Sequence, residues 1–179
     1  RRAEAQGFVQ SQFSIGMLYF NGQGGLPRDY GKAIEWYKKA AKEDFPPALY
    51  CLGYMCEKGF GCKPDSNEAL QWYQKAADAG DGKSMYRIAM MHLNGSNGME
   101  KDAKKALAMC YQAIEHGTSE AVFGLGVMYE NGEGSIPRDF KKAVELYRQS
   151  ADAGYFKAFS RLGVLYDNGL GVDRDLTEA

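Results

Sequence analysis

The 179 residues include 45% hydrophobic and 13% aromatic side chains, enough apolar material for a core without disulfide or metal staples. With 22 Lys and Arg against 23 Asp and Glu the formal charge is −1, so no global field steers the chain toward phosphate backbones or anionic lipid, and nucleic acid is not an expected partner. No apolar run approaches the roughly 20 residues that cross a bilayer, and Arg1-Arg2-Ala3-Glu4 is unlike a signal peptide, so no membrane span is expected here.

Along the chain, residues 1–7 align with Lys38 to Asp44 and read as the end of a second helix from a preceding repeat. Residues 8–44, 45–80, 81–117 and 118–154 then read as four full units, and 155–179 as a partial fifth. Gly16, Gly53, Ala89, Gly126 and Gly163 are spaced by 37, 36, 37 and 37 residues, and Ala33, Ala69, Ala106, Ala143 and Ala179 by 36, 37, 37 and 36. Two independent registers agree, which excludes chance. A unit of this length cannot bury its apolar face alone, so neighbours must stack. Because both ends fall inside a unit, further repeats or domains are expected on either side in the native chain.

In the first unit Ser11, Ile15, Leu18, Tyr19 and Gly22 share one face of a helix A over Val9 to Asn21. Asn21-Gly22 ends it, since Gly takes the left-handed conformation past a helix end without steric cost. Asp29 is placed to accept the first N–H groups of helix B, whose core stripe is Ala33, Trp36, Tyr37, Ala40 and Ala41. Lys58-Gly59, Asn94-Gly95, Asn131-Gly132 and Asn168-Gly169 repeat the stop, and Asp65, Asp102, Asp139 and Asp175 repeat the start. The small residues at the Gly16 and Ser11 positions of each unit let a second helix approach closely. The third unit departs most, with Ala89 for Gly, His92 for Tyr, Asn97 for the second loop Gly and Met109-Cys110 for the aromatic pair.

Leu125-Gly126-Val127-Met128-Tyr129, Asn131-Gly132-Glu133-Gly134, Lys142-Ala143-Val144-Glu145-Leu146-Tyr147 and Leu162-Gly163-Val164-Leu165-Tyr166 resemble the Sel1-like repeat family, relatives of the tetratricopeptide repeat. The resemblance covers nearly the whole chain. It implies an all-α, right-handed α/α superhelical solenoid serving as an adaptor, scaffold or regulatory subunit. Function must still be argued from a site.

On a helical wheel centred on Ile15, the residues Phe13, Met17 and Phe20 fall opposite the core, where polar side chains belong. Their counterparts are Tyr50, Tyr54 and Glu57; Tyr86, Met90 and Leu93; Phe123, Val127 and Glu130; and Ser160, Val164 and Asp167. This ladder is the candidate docking strip for a protein or peptide, on the face that the resemblance places in the concave groove. Asn94 and Asn131 are candidate amide donors to a partner's backbone, with helix termination as the competing role. The competing role for the Phe13 and Met17 positions is to seal neighbouring A helices together.

No cofactor, metal or catalytic group is expected: His92 and His116 read as structural, and Cys51, Cys56 and Cys62 lack zinc-site spacing. Asp167 to Glu178 spans a calcium-loop length but has Val172 where Gly is obligatory, and the glycine-rich loops follow helices and lack a P-loop ending. The four scattered cysteines favour a reducing compartment; Asn94-Gly95-Ser96 matches a glycosylation sequon and leaves a luminal or secreted location open. Two further functions remain beside the adaptor: a secreted or luminal hydrolase-like repeat protein, for which nucleophile and base are missing, and an architectural region whose strip packs a flanking domain of its own chain.

Overall fold

The computed structural model describes residues 2–96, 99–133 and 136–171, with side chains from residue 7 onward. Asn97, Gly134, Val172, Asp175, Glu178 and Ala179, which carry parts of the repeat registers and of the calcium-loop-length stretch, lie outside the described residues. Among those described, all regular structure is helical: α1 (Arg2–Asn21), α2 (Tyr30–Ala41), α3 (Pro46–Lys58), α4 (Ser66–Asp78), α5 (Gly82–Asn94), α6 (Ala103–Glu115), α7 (Ser119–Asn131), α8 (Phe140–Asp152) and α9 (Lys157–Asn168). These are the alternating A and B helices that the two registers require. One difference is at the start, where α1 runs unbroken from Arg2 instead of turning after residue 7. Ala3, Glu4, Ala5 and Gln6 are strong helix formers, and no turn pair interrupts them as Gly80-Asp81 does between α4 and α5.

Each boundary has a local cause. Asp29, Asp65, Asp102 and Asp139 precede α2, α4, α6 and α8, and their carboxylates accept backbone N–H groups of the first turn at 2.9 Å. Those bonds hold the Asp29 and Asp102 carboxyls below the usual carboxylate range. The Lys32 N–H is the largest contributor at Asp29 and the Lys105 N–H at Asp102. At the other ends Gly22, Gly59, Gly95, Gly132 and Gly169 all sit at φ between 62° and 71°, the left-handed region.

The chain divides into two compact units, residues 1–84 and 85–179. In the first, α1 packs on α2, α2 on α3 and α3 on α4. Val9, Ala33, Tyr37, Ala40, Ala48, Leu52 and Met55 form its buried cluster, with Ala69, Tyr73 and Ala76 buried on α4. On α1 the expected core face is incompletely covered: Ile15, Leu18 and Tyr19 are half-buried and Ser11 is exposed. Trp36 and Trp72, expected in the core stripe, are also not fully buried, with Lys39 and Lys75 ammonium groups 3.8 and 4.8 Å from their ring centroids.

In the second unit α6 packs on α7, α7 on α8 and α8 on α9. One cluster joins Ala143, Val144, Tyr147, Ala151, Ala158, Leu162, Leu165 and Tyr166; another joins Ala89, Leu93, Ala106, Cys110, Met128 and Ile136. Close approach within the α1/α2, α3/α4 and α7/α8 pairs depends on a missing side chain. A Cβ at Gly16, Gly53 or Gly126 would lie 2.6 or 2.7 Å from the ring of Tyr37, Tyr73 or Tyr147, so the small residue on helix A is the seat of the helix-B tyrosine.

Candidate functional site

In the first unit all six strip residues are half-buried, and Phe13, Met17, Tyr50 and Glu57 lie against Tyr37 or Tyr73 of helix B. The Phe13 ring is 5.6 Å from Tyr37 and 5.5 Å from Phe45; Tyr50 is 5.7 Å from Tyr73. The Tyr37 hydroxyl donates to Met17 Sδ at 3.1 Å, and that of Tyr73 to Glu57 Oε2 at 2.8 Å, so each buried phenol finds its acceptor on the strip. Glu57 also pairs with Lys58 at 2.6 Å.

Phe20 and Tyr54 meet through a residue that the periodicity did not single out. The Phe60 ring stacks on Tyr30 at 5.0 Å and lies 5.9 Å from Phe20 and 5.8 Å from Tyr54. Gly59, at φ 71°, turns the chain so that the Phe60 N–H donates to the Met55 carbonyl at 3.0 Å. The apolar residue right after a helix-ending glycine commonly folds back onto the last turn, and that signal was present in Lys58-Gly59-Phe60.

In the second unit the strip divides. Tyr86 is half-buried with its ring against α7, where a Cβ on Gly124 would lie 2.5 Å away; burial holds its hydroxyl well above the ordinary tyrosine range. Phe123 lies 5.3 Å from Tyr147 and 5.1 Å from Tyr155. Tyr86 and Phe123 therefore serve the seams between helices as well as the surface. Met90 and Val127 are half-buried, and Val164, one step further on α9, is 51% exposed.

Leu93 is a correction: it is buried at 6% exposure, inside the cluster with Ala89 and Cys110, and offers no surface. Its counterpart Glu130 stays at the edge, accepting from the Tyr147 hydroxyl through Oε2 and facing Arg161 Nη1 at 3.4 Å through Oε1.

Asn94 and Asn131 are exposed at the ends of α5 and α7. The Asn131 amide points to Glu133 Oε1 at 3.4 Å, and Asn168 at the same step of α9 donates to the Val164 carbonyl at 2.7 Å. His92 differs from its expected satisfied role in one atom, since Nδ1 is buried with no hydrogen-bond partner among the described residues. Among the described residues no group of three or more His, Cys, Asp or Glu side chains is arranged to hold a metal, and no helix is long and apolar enough to cross a membrane.

Stacked helical hairpins carrying partly exposed aromatic tracts, with acidic edges tied to buried phenols, define the class: an α-helical repeat protein. The chain belongs to the Sel1 repeat family, whose repeat matches residues 9–45, 46–81, 82–118, 119–155 and 160–179. It is similar to a crystal structure of a Sel1 repeat protein from Oxalobacter formigenes, with 33% identity and a TM-score of 0.84 over 95% of this chain and 68% of that one. It is 33% identical over 92 residues, 51% of its length, to chitin synthase regulatory factor 3 of Schizosaccharomyces pombe. Over 56 residues, 31% of its length, it is 34% identical to the ERAD-associated E3 ubiquitin-protein ligase component HRD3A of Arabidopsis thaliana. The chain spans 10% and 8% of the lengths of these two relatives.

Proposed function

We propose that this segment is a non-catalytic adaptor or regulatory module that holds a segment of a protein partner against the helix-A side of its repeats. The observation that carries the reading is the partial exposure of large apolar side chains at the same helical step, from Met17 and Tyr54 in the first unit to Val127 and Val164 in the second. Interfaces draw their energy from such apolar and aromatic anchors beside polar rims. Two relatives are named as a regulatory factor of a synthase and a component of a ligase, roles in which a chain contacts other proteins. Glu57 and Glu130 supply the rim, already oriented by Tyr73 and Tyr147.

The test begins with affinity capture on the immobilised chain and identification of the prey, followed by binding measurements with that prey purified. Tyr54→Ala and Val164→Glu are each expected to weaken binding at least about tenfold, while Lys141→Glu, on an exposed face of helix B, leaves it unchanged. Melting temperatures of all three variants should stay close to that of the parent. Equal affinity of the purified prey for Tyr54→Ala, Val164→Glu and parent chain sinks the proposal.

A further inference from the structure

We propose that Cys56 and Cys62 form a thiol–disulfide exchange site, oxidised to an intramolecular disulfide by a small disulfide of the glutathione class. Six positions separate the two residues in sequence, and no metal or repeat pattern links them. The fold brings them together: α3 ends at Lys58, Gly59 and Gly61 both take positive φ (71° and 78°), and the chain doubles back along the last helical turn. Cys62 Sγ then lies 3.8 Å from the carbonyl oxygen of Met55, whose peptide group joins it to Cys56, so Cys62 is folded back against the turn of α3 that carries Cys56. Cys56 is buried at 6% exposure and Cys62 is exposed, so one thiol is accessible to a reagent and the other is shielded behind it. The other two cysteines sit elsewhere: Cys51 interacts with the Tyr37 hydroxyl, and Cys110 lies in the buried cluster with Ala89 and Leu93.

The Cys62 thiolate attacks one sulfur of the glutathione disulfide, whose S–S bond breaks, and one glutathione leaves as thiolate. Cys56 then loses its proton to solvent and attacks Cys62 Sγ, expelling the second glutathione. Two protein thiols are oxidised to one disulfide while one small disulfide is reduced to two thiols. Burial pushes the Cys56 thiol up to about 12, which makes the second attack the slower one and accelerates it as pH rises. A neutral disulfide suits the buried position better than a thiolate.

The closed ring encloses Phe60, the residue that joins Phe20, Tyr30 and Tyr54. Oxidation therefore pins that aromatic node, and reduction releases it. This chemistry does not depend on what the strip binds.

The experiment treats the folded chain with a graded ratio of oxidised to reduced glutathione, blocks free thiols, and digests with trypsin and chymotrypsin. Cleavage after Tyr54 and Lys58 separates Cys51, Cys56 and Cys62 onto different peptides. The expected result is loss of two of the four thiols, with the Cys56 peptide joined to the Cys62 peptide. In Cys56→Ser the chain should stop as a glutathione adduct on Cys62. An adduct on Cys62 that persists in the parent chain at pH 9, a Cys62 cross-link between two chains, or a failure of Cys62 to react at all overturns the proposal.

Discussion

The third and fourth repeats, at three matching positions that all lie in the second unit, solve one packing problem with opposite chemistry. In the fourth, Gly126 leaves room for the Tyr147 ring, and Glu130 accepts its hydroxyl. In the third the same three positions are Ala89, Cys110 and Leu93, all buried together at 6% exposure or less. Removing the ring frees space that the Ala Cβ takes up, and removing the hydroxyl frees the acceptor position for an apolar side chain. The departures of the third repeat are thus one coordinated replacement, and they explain why Leu93 belongs to the core while Glu130 stays at the rim. The first repeat is an intermediate case: Gly16 still seats Tyr37, but with Phe20 at the acceptor position the phenol turns to Met17 Sδ.

The largest effect should come from breaking the fourth repeat's solution outright. Tyr147→Ala opens a cavity at a fully buried site and leaves Glu130 without its phenol, so a loss of about 3–5 kcal/mol is expected in denaturant unfolding. A loss below about 1 kcal/mol would mean that the pocket collapses without cost. Gly126→Ala places a Cβ 2.7 Å from that ring and should cost about 1–3 kcal/mol on its own. Converting Tyr147 to Cys as well reproduces the third repeat's pair, so the double variant should be more stable than the sum of the singles predicts. Simple additivity in that cycle would show the positions to be uncoupled.

The smallest and most conditional effect lies in alkaline stability. Burial raises the Cys110 thiol from 9.0 to about 12, and raises the Tyr147 hydroxyl from 10.0 with help from its bond to Glu130. In both cases the folded chain keeps a proton that the unfolded chain gives up, so stability is complete below the unfolded value and falls as pH rises through the window above it. The loss attributable to Cys110 begins near pH 9 and that of Tyr147 near pH 10, each at no more than about 1.4 kcal/mol per pH unit. Urea midpoints measured against pH should show a steeper fall above about pH 10, and Cys110→Ala should reduce the slope from about pH 9 to about 12 without abolishing it, because burial raises Cys51 and Cys56 to about 11 and 12 through the same window. An unchanged slope in that variant would remove Cys110 as a cause.

Much of this was legible in the residues. Asp29, Asp65, Asp102 and Asp139 before each helix B, and the glycines closing each helix A, are local signals that need only neighbouring N–H groups, and all appear where the spacing put them. The strip was legible as a set of positions but not as a surface. Periodicity records the direction of a side chain from its own helix axis; it does not record what a neighbouring helix lays across it. Phe13 and Phe123 proved half-covered by Tyr37, Phe45, Tyr147 and Tyr155, and Leu93 fully covered, because those contacts come from other segments. Phe60 was readable only as a turn neighbour, until the fold set it between Phe20 and Tyr54.

By itself the sequence determined the repeat length, the alternation of helices, their caps and the small-residue positions that let helices approach, since these depend on contacts within one unit or one turn. Only the tertiary structure decided which outward-pointing side chains remain open, which phenol meets which carboxylate, and that Cys62 folds back on the turn of α3 that carries Cys56. Those outcomes depend on how closely separate segments approach one another, a distance that no local pattern encodes.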